Sequence, residues 1–461
     1  MLQGLKNRGY LLAAVMSCNL AAFSVGLILT WTSPVLPKMN NSTGILNENP
    51  FDKPITDEQQ SWIASLSSAG AIFGPFIAGF LVDRIGRKWT LVYASGIPMT
   101  TAFLMLAFSK TPVLYYVARL IGGLGMGVVY AALPMYIGEI SETSIRGTLS
   151  SFFNIFTVSG ELLTYALGPY ISVMWFSIIC AIFPAAFVML FSFFPDSPHY
   201  FISKNNIPAA ESSLAKLRGT NIGGIEKEFA VIKEYVENDM NSRGSIIDVL
   251  KSRALRKSLL ICLGLVALLQ LSGIQVVLTS ATDIFNASGG SLDSNISSLI
   301  VGLVQLATGF TTPVLVDRIG RKMLLLASAI GMVISEVPLG IYFYLKENDY
   351  DVSSIGWLPV ACMIGYIITC NFGFGTVPWT VMGEIFPTDA KAAASTITAS
   401  FCAFMAFIVV RVFTYVQDAV GLSVTYWIFS AFCFSGIFFT QFFMIETKGK
   451  TFAEIQVILN R

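Results

Sequence analysis

Acidic and basic side chains recur at fixed spacing in two parts of this 461-residue chain. The octapeptide Leu-Val-Asp-Arg-Ile-Gly-Arg-Lys occurs at 81–88 and again at 315–322, and a Gly-Glu-Ile triplet follows each copy. In both triplets the Glu stands seven residues before a basic residue. Carboxylates and guanidinium groups form ion pairs that a conformational change can make or break. The two sets are Asp83, Arg84, Arg87, Glu139 and Arg146, and Asp317, Arg318, Arg321, Glu384 and Lys391.

Residues for other kinds of chemistry are missing from the sequence. The chain has one histidine, His199, and its seven cysteines have neither metal-ligand nor redox spacing. It contains no Gly-x-x-x-x-Gly-Lys-Ser/Thr phosphate loop, and a net charge of +1 gives no basic face for nucleic acid. We therefore expect neither an enzyme nor a nucleic-acid binder, and we predict no metal, no cofactor and no obligate protein partner.

The charged sets lie between long apolar segments. Hydrophobic residues make up 54% of the chain and charged residues 12%, and the mean hydropathy is +0.68. A soluble domain carries about twice that share of charge. Because about 20 apolar residues cross the hydrocarbon core as a helix, we predict an all-α membrane protein with twelve transmembrane helices. They cover residues 10–34, 62–82, 90–108, 112–138, 149–170, 173–194, 258–285, 296–316, 323–344, 357–384, 393–416 and 423–444.

The spacing of the repeats indicates two similar halves. The octapeptides lie 234 residues apart and the two Glu residues lie 245 apart. Both copies keep the same orientation if each half has six helices, which is a parallel repeat. We call residues 1–194 the N-terminal half and residues 258–461 the C-terminal half. Residues 195–257 form a polar linker, in which 209–217 and 225–236 read as short amphipathic helices.

The distribution of Lys and Arg predicts the orientation in the membrane. With the N-terminus inside, cytoplasmic segments hold 23 of the 29 basic residues, so both termini and both octapeptides are expected in the cytoplasm. This topology suits a multi-pass protein of the plasma membrane. Glycosylation sequons agree with it, because all fall in loops predicted to be external. These sequons begin at Asn40, Asn41, Asn286 and Asn295.

The charged sets are candidates for a cytoplasmic gate. Gly86 and Gly320 permit a tight turn between two helices, and the flanking charges can reach the neighbouring Glu. We interpret each set as an ion-pair network that holds the halves together when closed and releases substrate inward when open. The alternative is that the basic residues only fix the topology.

A set of short motifs follows one another along nearly the whole chain. They are 83–88, Arg119 with 122–127, 134–139, 146–147, 195–198, 270–273, 317–322, 378–379 and 446–449. Through this ordered set the chain resembles the sugar-porter family of the major facilitator superfamily. Through 32–34 and 373–384 it is most similar, within that family, to the insect facilitated trehalose and glucose transporter group. The resemblance implies the two-domain major facilitator fold and a small-molecule sugar as the substrate.

The resemblance also implies a sugar site at the middle of the membrane. Amide and hydroxyl groups in membrane helices are costly unless they have a function or a partner. Gln270 and Gln275 lie five residues apart on predicted helix seven, and Thr279 follows one turn later. The alternative is that some of these residues bond one helix to another. The candidate substrate-binding residues are Asn154, Gln270, Gln275, Thr279, Gln305, Asn371 and Trp379.

Several positions depart from the pattern of hexose carriers. Leu269 stands where those carriers have the first of two adjacent Gln, and Asn371 replaces a Glu of predicted helix ten. Thr279 and Ser280 stand at two aromatic positions. The loss of bulky side chains favours a larger sugar such as a disaccharide, or an altered hexose preference.

Acidic residues inside predicted helices bear on the question of proton coupling. Proton symporters of the family have an Asp on helix one, whereas residues 26–29 here contain no carboxylate. Passive transport is therefore the expectation. Glu161, seven residues after Asn154, is a possible proton site, and Glu336 is a second acid inside a predicted helix. Each acid could instead pair with a polar group of a neighbouring helix. Arg411 and Asp418 are predicted as a pair at the outer end, or Arg411 reaches the interface alone.

The leading hypothesis is a facilitative carrier of glucose, another hexose or trehalose that works by alternating access. A proton-coupled sugar symporter is the alternative. A non-transporting sugar receptor is a third reading, which the short predicted cytoplasmic tails disfavour.

Overall fold

The computed structural model of the chain describes residues 8–39, 51, 54–142, 144–242, 253–290, 292–448, 450, 454–455 and 459. All regular structure in these stretches is helical, which confirms the predicted all-α class. The helices of the N-terminal half are α1 (Gly9–Thr30), α2 (Thr32–Met39), α3 (Asp57–Ile85), α4 (Arg87–Leu91), α5 (Ile97–Phe108), α6 (Pro112–Ile140), α7 (Arg146–Leu167) and α8 (Val173–Phe191). A π-helical turn, Val92–Gly96, joins α4 and α5.

The linker and the C-terminal half follow. In the linker, apolar side chains of its helices, including Ile202, Leu214 and Phe229, form a small separate core. The linker helices are α9 (Pro198–Ser203), α10 (Ile207–Arg218) and α11 (Glu226–Ser242). The C-terminal half contains α12 (Arg253–Leu271), α13 (Ile274–Ser288), α14 (Ser294–Ile319), α15 (Arg321–Glu347), α16 (Leu358–Phe372), α17 (Val377–Ile385) and α18 (Thr388–Phe442).

Ten helical stretches of the described chain are long and apolar enough to cross a membrane. Two features account for the difference from the predicted twelve. α7 has 22 residues but is too polar to qualify by composition. α18 has 55 residues, about 80 Å at 1.5 Å per residue, which is more than twice the hydrocarbon thickness. It is broken at Gly421 (φ 82°, ψ 168°), so its two parts can cross separately.

Three predicted segments are interrupted rather than continuous, which corrects the sequence interpretation. The first is divided into α1 and α2, the seventh into α12 and α13 around Gly273 (φ 82°), and the tenth into α16 and α17. Such breaks free backbone N–H and C=O groups within the membrane. They are tolerated where the backbone is buried in protein or lines a cavity. Two of the breaks fall beside the candidate residues Gln270, Gln275, Asn371 and Trp379.

The two halves meet along α3 with α18, and along α7 with α14, with a further contact between α2 and α13. The start of α3 contacts Arg411, ten residues before the break in α18. Both octapeptides therefore lie at the other end of the bundle, which we call the octapeptide end. We call the end that contains Thr56 and Gly421 the opposite end. At that end Thr56 caps α3, because its side chain accepts a hydrogen bond from the Gln59 backbone N–H.

Candidate functional site

Gln270 and Gln275 lie on the two sides of the break between α12 and α13. Both side chains are buried, with 7% and 6% of their surface exposed. Gln270 Nε2 donates to Cys402 Sγ at 3.2 Å, while its Oε1 has no partner among the residues that the structure describes. Within the same described set, Gln275 Nε2 is also unpaired. The two unpaired amide atoms, one acceptor and one donor, are available to a ligand.

Thr279 has a different environment from the two glutamines. Its hydroxyl donates to the Gln275 carbonyl of its own helix at 2.9 Å, and the side chain is fully buried. Its backbone carbonyl accepts from Thr32 Oγ1 at 3.0 Å. Thr279 therefore joins α13 to α2 across the two halves.

A strip of α14 lies beside polar residues of two other helices. Gln305 Nε2 donates to Glu161 Oε2 on α7 at 2.7 Å, and Asn371 Nδ2 on α16 donates to Thr308 Oγ1 at 2.8 Å. Asn154 lies beside the next residue of the strip, because a Cβ added to Gly309 would be 3.2 Å from Asn154 Nδ2. Polar side chains from both halves therefore contact one stretch of α14.

Trp379 and Asn154 are the more accessible candidates. Trp379 is half-buried on α17, one turn after the break that follows α16, and Asn154 is exposed. An indole face supplies the apolar surface that a sugar ring requires, together with one N–H donor. The hydrogen bonds found for Gln270, Gln305 and Asn371 end on residues that the sequence interpretation did not name as sugar ligands.

The first charged set forms an ion pair within the N-terminal half. Arg87 Nη2 lies 2.9 Å from Glu139 Oε1, and Asp83 lies 3.9 Å from the same guanidinium group. The Arg84 guanidinium lies over the Phe80 ring at 3.8 Å. Arg146 is exposed at the start of α7.

The second charged set lies within the C-terminal half. Arg321 Nη2 is 2.6 Å from Glu384 Oε1, and Thr447 Oγ1 donates to the other Glu384 oxygen at 2.5 Å. Lys391 Nζ donates to the Gly383 carbonyl at 2.9 Å rather than to a carboxylate. The side chains of Asp317 and Arg318 lie outside the described residues.

Two carboxylates that the sequence interpretation left without a role bind the octapeptides. Asp196 Oδ1 accepts from the backbone N–H groups of Arg87 and Lys88 at 3.2 Å each, at the start of α4. Glu446 accepts from the backbone N–H groups of Arg321 and Lys322 at 3.1 and 3.0 Å, at the start of α15. Helix N-termini favour anions in this way. The signal was present in the sequence, since each acid follows the last predicted helix of its half.

The environment of Asp196 perturbs its ionisation. Burial raises the pKa of the Asp196 carboxyl to about 6, although the N–H groups of Ser197 and Lys88 and the charge of Arg87 act in the opposite direction. Desolvation of a charged carboxylate is costly, and here the hydrogen bonds offset it only in part.

Arg411 connects the halves at the opposite end. Its guanidinium lies 4.2 Å over the Trp62 ring and 3.6 Å from Glu58, both on α3, and its carbonyl accepts from Ser61 Oγ at 3.3 Å. The predicted partner Asp418 is exposed, so the sequence interpretation named the wrong acid for this contact. The partner could not be read from spacing because it lies on a distant helix.

Arg119 on α6 is a buried cation held by neutral groups. It donates to the carbonyls of Ile63 and Ile28 at 2.9 and 2.6 Å and to Ser67 Oγ at 2.8 Å. Its side chain contacts α1 and α3, and 1% of its surface is exposed. Ile28 stands in the stretch 26–29, which contains no carboxylate.

The remaining site predictions concern glycosylation and metals. Asn286 is exposed near the end of α13 and Asn295 is partly exposed at the start of α14, both at the opposite end. Asn40 and Asn41 lie outside the described residues. Within the described stretches, no group of three or more His, Cys, Asp or Glu side chains is placed to hold a metal ion.

Comparison with known sequences identifies relatives across the chain. A family model described as sugar (and other) transporter matches residues 18–459. The facilitated trehalose transporter Tret1 of Bombyx mori is 34% identical over 448 residues, which is 97% of this chain and 86% of that protein. Tret1 of Polypedilum vanderplanki is 33% identical over 445 residues, which is 96% of this chain and 86% of that protein.

Comparison with solved structures identifies the same architecture. The xylose transporter XylE from E. coli in a partially occluded inward-open conformation gives a TM-score of 0.79 at 22% identity, covering 96% of this chain and all of that one. The proton:xylose symporter XylE bound to 6-bromo-6-deoxy-D-glucose gives 0.75 at 23% identity, covering 98% and 100%. These likenesses show the major facilitator fold. Because the family model and the curated relatives extend over nearly the whole chain, this multi-pass membrane protein belongs to the sugar transporter family, as the sequence motifs predicted.

Proposed function

We propose that this chain is a facilitative carrier that moves trehalose, or glucose and related hexoses, across the plasma membrane by alternating access. The observation that carries the proposal is the break between α12 and α13, because unpaired amide atoms of Gln270 and Gln275 lie buried on its two sides. Buried polar groups without partners are costly, and sugar hydroxyls can satisfy both a donor and an acceptor. Family membership and the trehalose activity in the names of the relatives support the same substrate class.

The surroundings of Arg119 support passive transport. In this chain its three hydrogen bonds end on neutral oxygens, so no carboxylate there has to exchange a proton during the cycle. A buried cation with neutral acceptors keeps one charge state throughout. The proposal is therefore a uniporter whose net flux follows the sugar gradient.

The contacts between the halves fit a carrier open toward the octapeptide end. Hydrogen bonds from Thr32 to Thr279 and from Tyr165 to the Leu278 carbonyl join the halves toward the opposite end. Both octapeptide ion pairs, in contrast, join helices of the same half. In the proposed orientation, with both termini in the cytoplasm, this is an inward-facing state. The N-terminal half, 1–194, and the C-terminal half, 258–461, would rock about the midplane, coupled through the linker, 195–257.

A proton-coupled symporter is the second candidate. The observation that favours it is the buried acid Glu161, which contacts the candidate site through Gln305. Intramembrane acids at a substrate site are candidates for proton relays. The two functions differ in a simple observable, because only the symporter depends on the proton gradient.

Uptake of radiolabelled trehalose and glucose into oocytes tests the proposal, with cross-competition and two external pH values. The expected result is saturable uptake of at least one of the two sugars that is insensitive to a protonophore. Uptake that collapses with the protonophore would replace the uniporter by the symporter. If neither sugar moved while surface labelling confirmed the protein, the proposal would fail.

Variants of the amide pair test the site. Gln270→Leu and Gln275→Leu are expected to raise the half-saturation concentration roughly tenfold each, because one hydrogen bond to a sugar hydroxyl is lost. Gln441→Leu is the matched control, because Gln441 has an exposed side chain at the octapeptide end of α18. Equal transport by all three variants would remove these residues from the site.

A further inference from the structure

Glu161 is buried where the two halves meet, and it bonds to a candidate sugar ligand. Only 2% of its surface is exposed, and its Oε2 accepts the Gln305 Nε2 hydrogen bond at 2.7 Å. The bond crosses from α7 of the N-terminal half to α14 of the C-terminal half. This hydrogen bond therefore holds the Gln305 side chain of the C-terminal half against the Glu161 carboxyl group of the N-terminal half.

The Gln305 amide has a defined orientation in the structure. An amide has one end that accepts and one end that donates, and the NH₂ group of Gln305 donates to Glu161 Oε2. Gln305 Oε1 then faces away, and this oxygen is buried without a partner among the residues described. A buried carbonyl oxygen without a partner is costly, so a ligand hydroxyl that donates to it is favoured.

The same strip of α14 holds its other polar groups in fixed orientations. Thr308 Oγ1 donates to the Gln305 backbone carbonyl at 2.9 Å and accepts from Asn371 Nδ2. Asn154, two turns before Glu161 on α7, lies beside Gly309. Gln305 Oε1 is thus an unpaired acceptor one turn from the hydrogen bond between Thr308 and Asn371.

We propose that Glu161 is a positioning residue that fixes the Gln305 amide with its carbonyl oxygen toward the sugar, so that the site selects a sugar hydroxyl that donates at this point. The inference rests on the proposed function, because it concerns the specificity of the same site. Glu161 would not touch the sugar. It would act through Gln305 by excluding the opposite orientation of the amide.

Deoxy and deoxyfluoro derivatives of the transported sugar test this assignment, as inhibitors of uptake. A deoxy sugar lacks the hydroxyl, and a fluoro sugar keeps an acceptor but cannot donate. In the wild type, both derivatives at one ring position are expected to lose roughly 10–100-fold in apparent affinity, since the buried carbonyl oxygen is left unpaired. In Glu161→Gln the amide can pair in either orientation, so the fluoro derivative is expected to recover about tenfold relative to the deoxy derivative.

Two further variants separate positioning from general damage. Gln305→Leu is expected to remove discrimination at that hydroxyl, and adding Glu161→Leu should cause no further loss because the pair acts as a unit. The exchange Glu161→Gln with Gln305→Glu restores a donor–acceptor pair and an acceptor at position 305. It is therefore expected to restore rejection of the fluoro derivative while surface labelling remains normal.

The outcomes are distinguishable. If wild-type protein at the surface moves no sugar, the proposed function itself fails. If the wild type transports sugar but Glu161→Gln weakens all derivatives equally, Glu161 is only structural and the inference is overturned. If Glu161→Gln abolishes a pH dependence of uptake without changing the discrimination pattern, Glu161 is a proton site and the inference is again overturned. Recovery of the fluoro derivative alone supports it.

Discussion

Removal of the Arg411 guanidinium is expected to shift the protein away from the state that is closed at the opposite end. The contact with Glu58 is weak, because 69% of the Glu58 side chain is exposed and exposed ion pairs contribute about 0–1 kcal/mol. The guanidinium also lies 4.2 Å over Trp62, and such a contact contributes roughly 0.5–2 kcal/mol. Arg411→Ala should therefore destabilise the state that is closed at the opposite end by about 1–2 kcal/mol. The ratio of this closed state to the state that is open there then falls roughly 5–30-fold.

Spin labels across the opposite end measure this shift. All seven native cysteines are buried, so labels can be attached to cysteines introduced at Asp57 and Asp418, which are exposed. Arg411→Ala is expected to increase the population of longer distances, and Trp62→Leu should do nearly the same. Glu58→Gln should change the distance distribution less, because solvent and salt screen the ion pair between the exposed Glu58 and Arg411.

Two results would refute this reasoning. An unchanged distance distribution in Arg411→Ala would mean that the contact does not stabilise the closed end. A shift in Glu58→Gln as large as that in Arg411→Ala would mean that the ion pair, and not the stacking on Trp62, is responsible. Lys110→Ala serves as the control, because it removes an exposed cation at the same end.

Three further predictions concern the octapeptide end. Arg87→Ala and Arg321→Ala should each slow sugar uptake at unchanged surface amount, because each removes an ion pair at the proposed gate; normal uptake by both would refute the gate. Gly86→Ala should lower the melting temperature more than Gly320→Ala. A Cβ added at Gly86 would lie 2.0 Å from a carboxylate oxygen, whereas one added at Gly320 would lie 3.0 Å from the nearest carboxylate oxygen. An equal effect of the two substitutions would contradict these distances. The raised pKa of Asp196, about 6 against 3.8, means that its contribution to stability is present below about pH 4 and lost as pH rises through 6. Asp196→Asn should therefore gain in melting temperature relative to the wild type between pH 5 and 7, and a constant difference would contradict the shift.

The fold class, the family and the pairing of the charged motifs could be predicted from the sequence. Periodic apolar segments predict helices because the bilayer offers no other partner for the backbone. The repeated octapeptide and the two Glu residues predicted which charges belong together, and the structure brings Arg87 to 2.9 Å from Glu139 and Arg321 to 2.6 Å from Glu384. Their role as a gate stays a prediction.

The sequence interpretation failed where a helix is interrupted. Hydropathy treats 258–285 and 357–384 as continuous, since Gly, Ser and Thr within a long apolar window change its average little. The structure breaks both segments, and the break at Gly273 separates Gln270 from Gln275. The spacing of a regular helix therefore does not relate these two side chains.

The sequence by itself determined that this chain is a duplicated helical membrane protein of the sugar transporter family, because composition, apolar period and motif spacing are properties of the chain alone. Only the tertiary structure decided that Glu161 holds Gln305 across 144 positions of the chain and that Arg411 lies over Trp62 rather than beside Asp418. The physical reason is that periodicity shows which face of a helix is polar, whereas a side chain finds its partner only when the helices dock against one another.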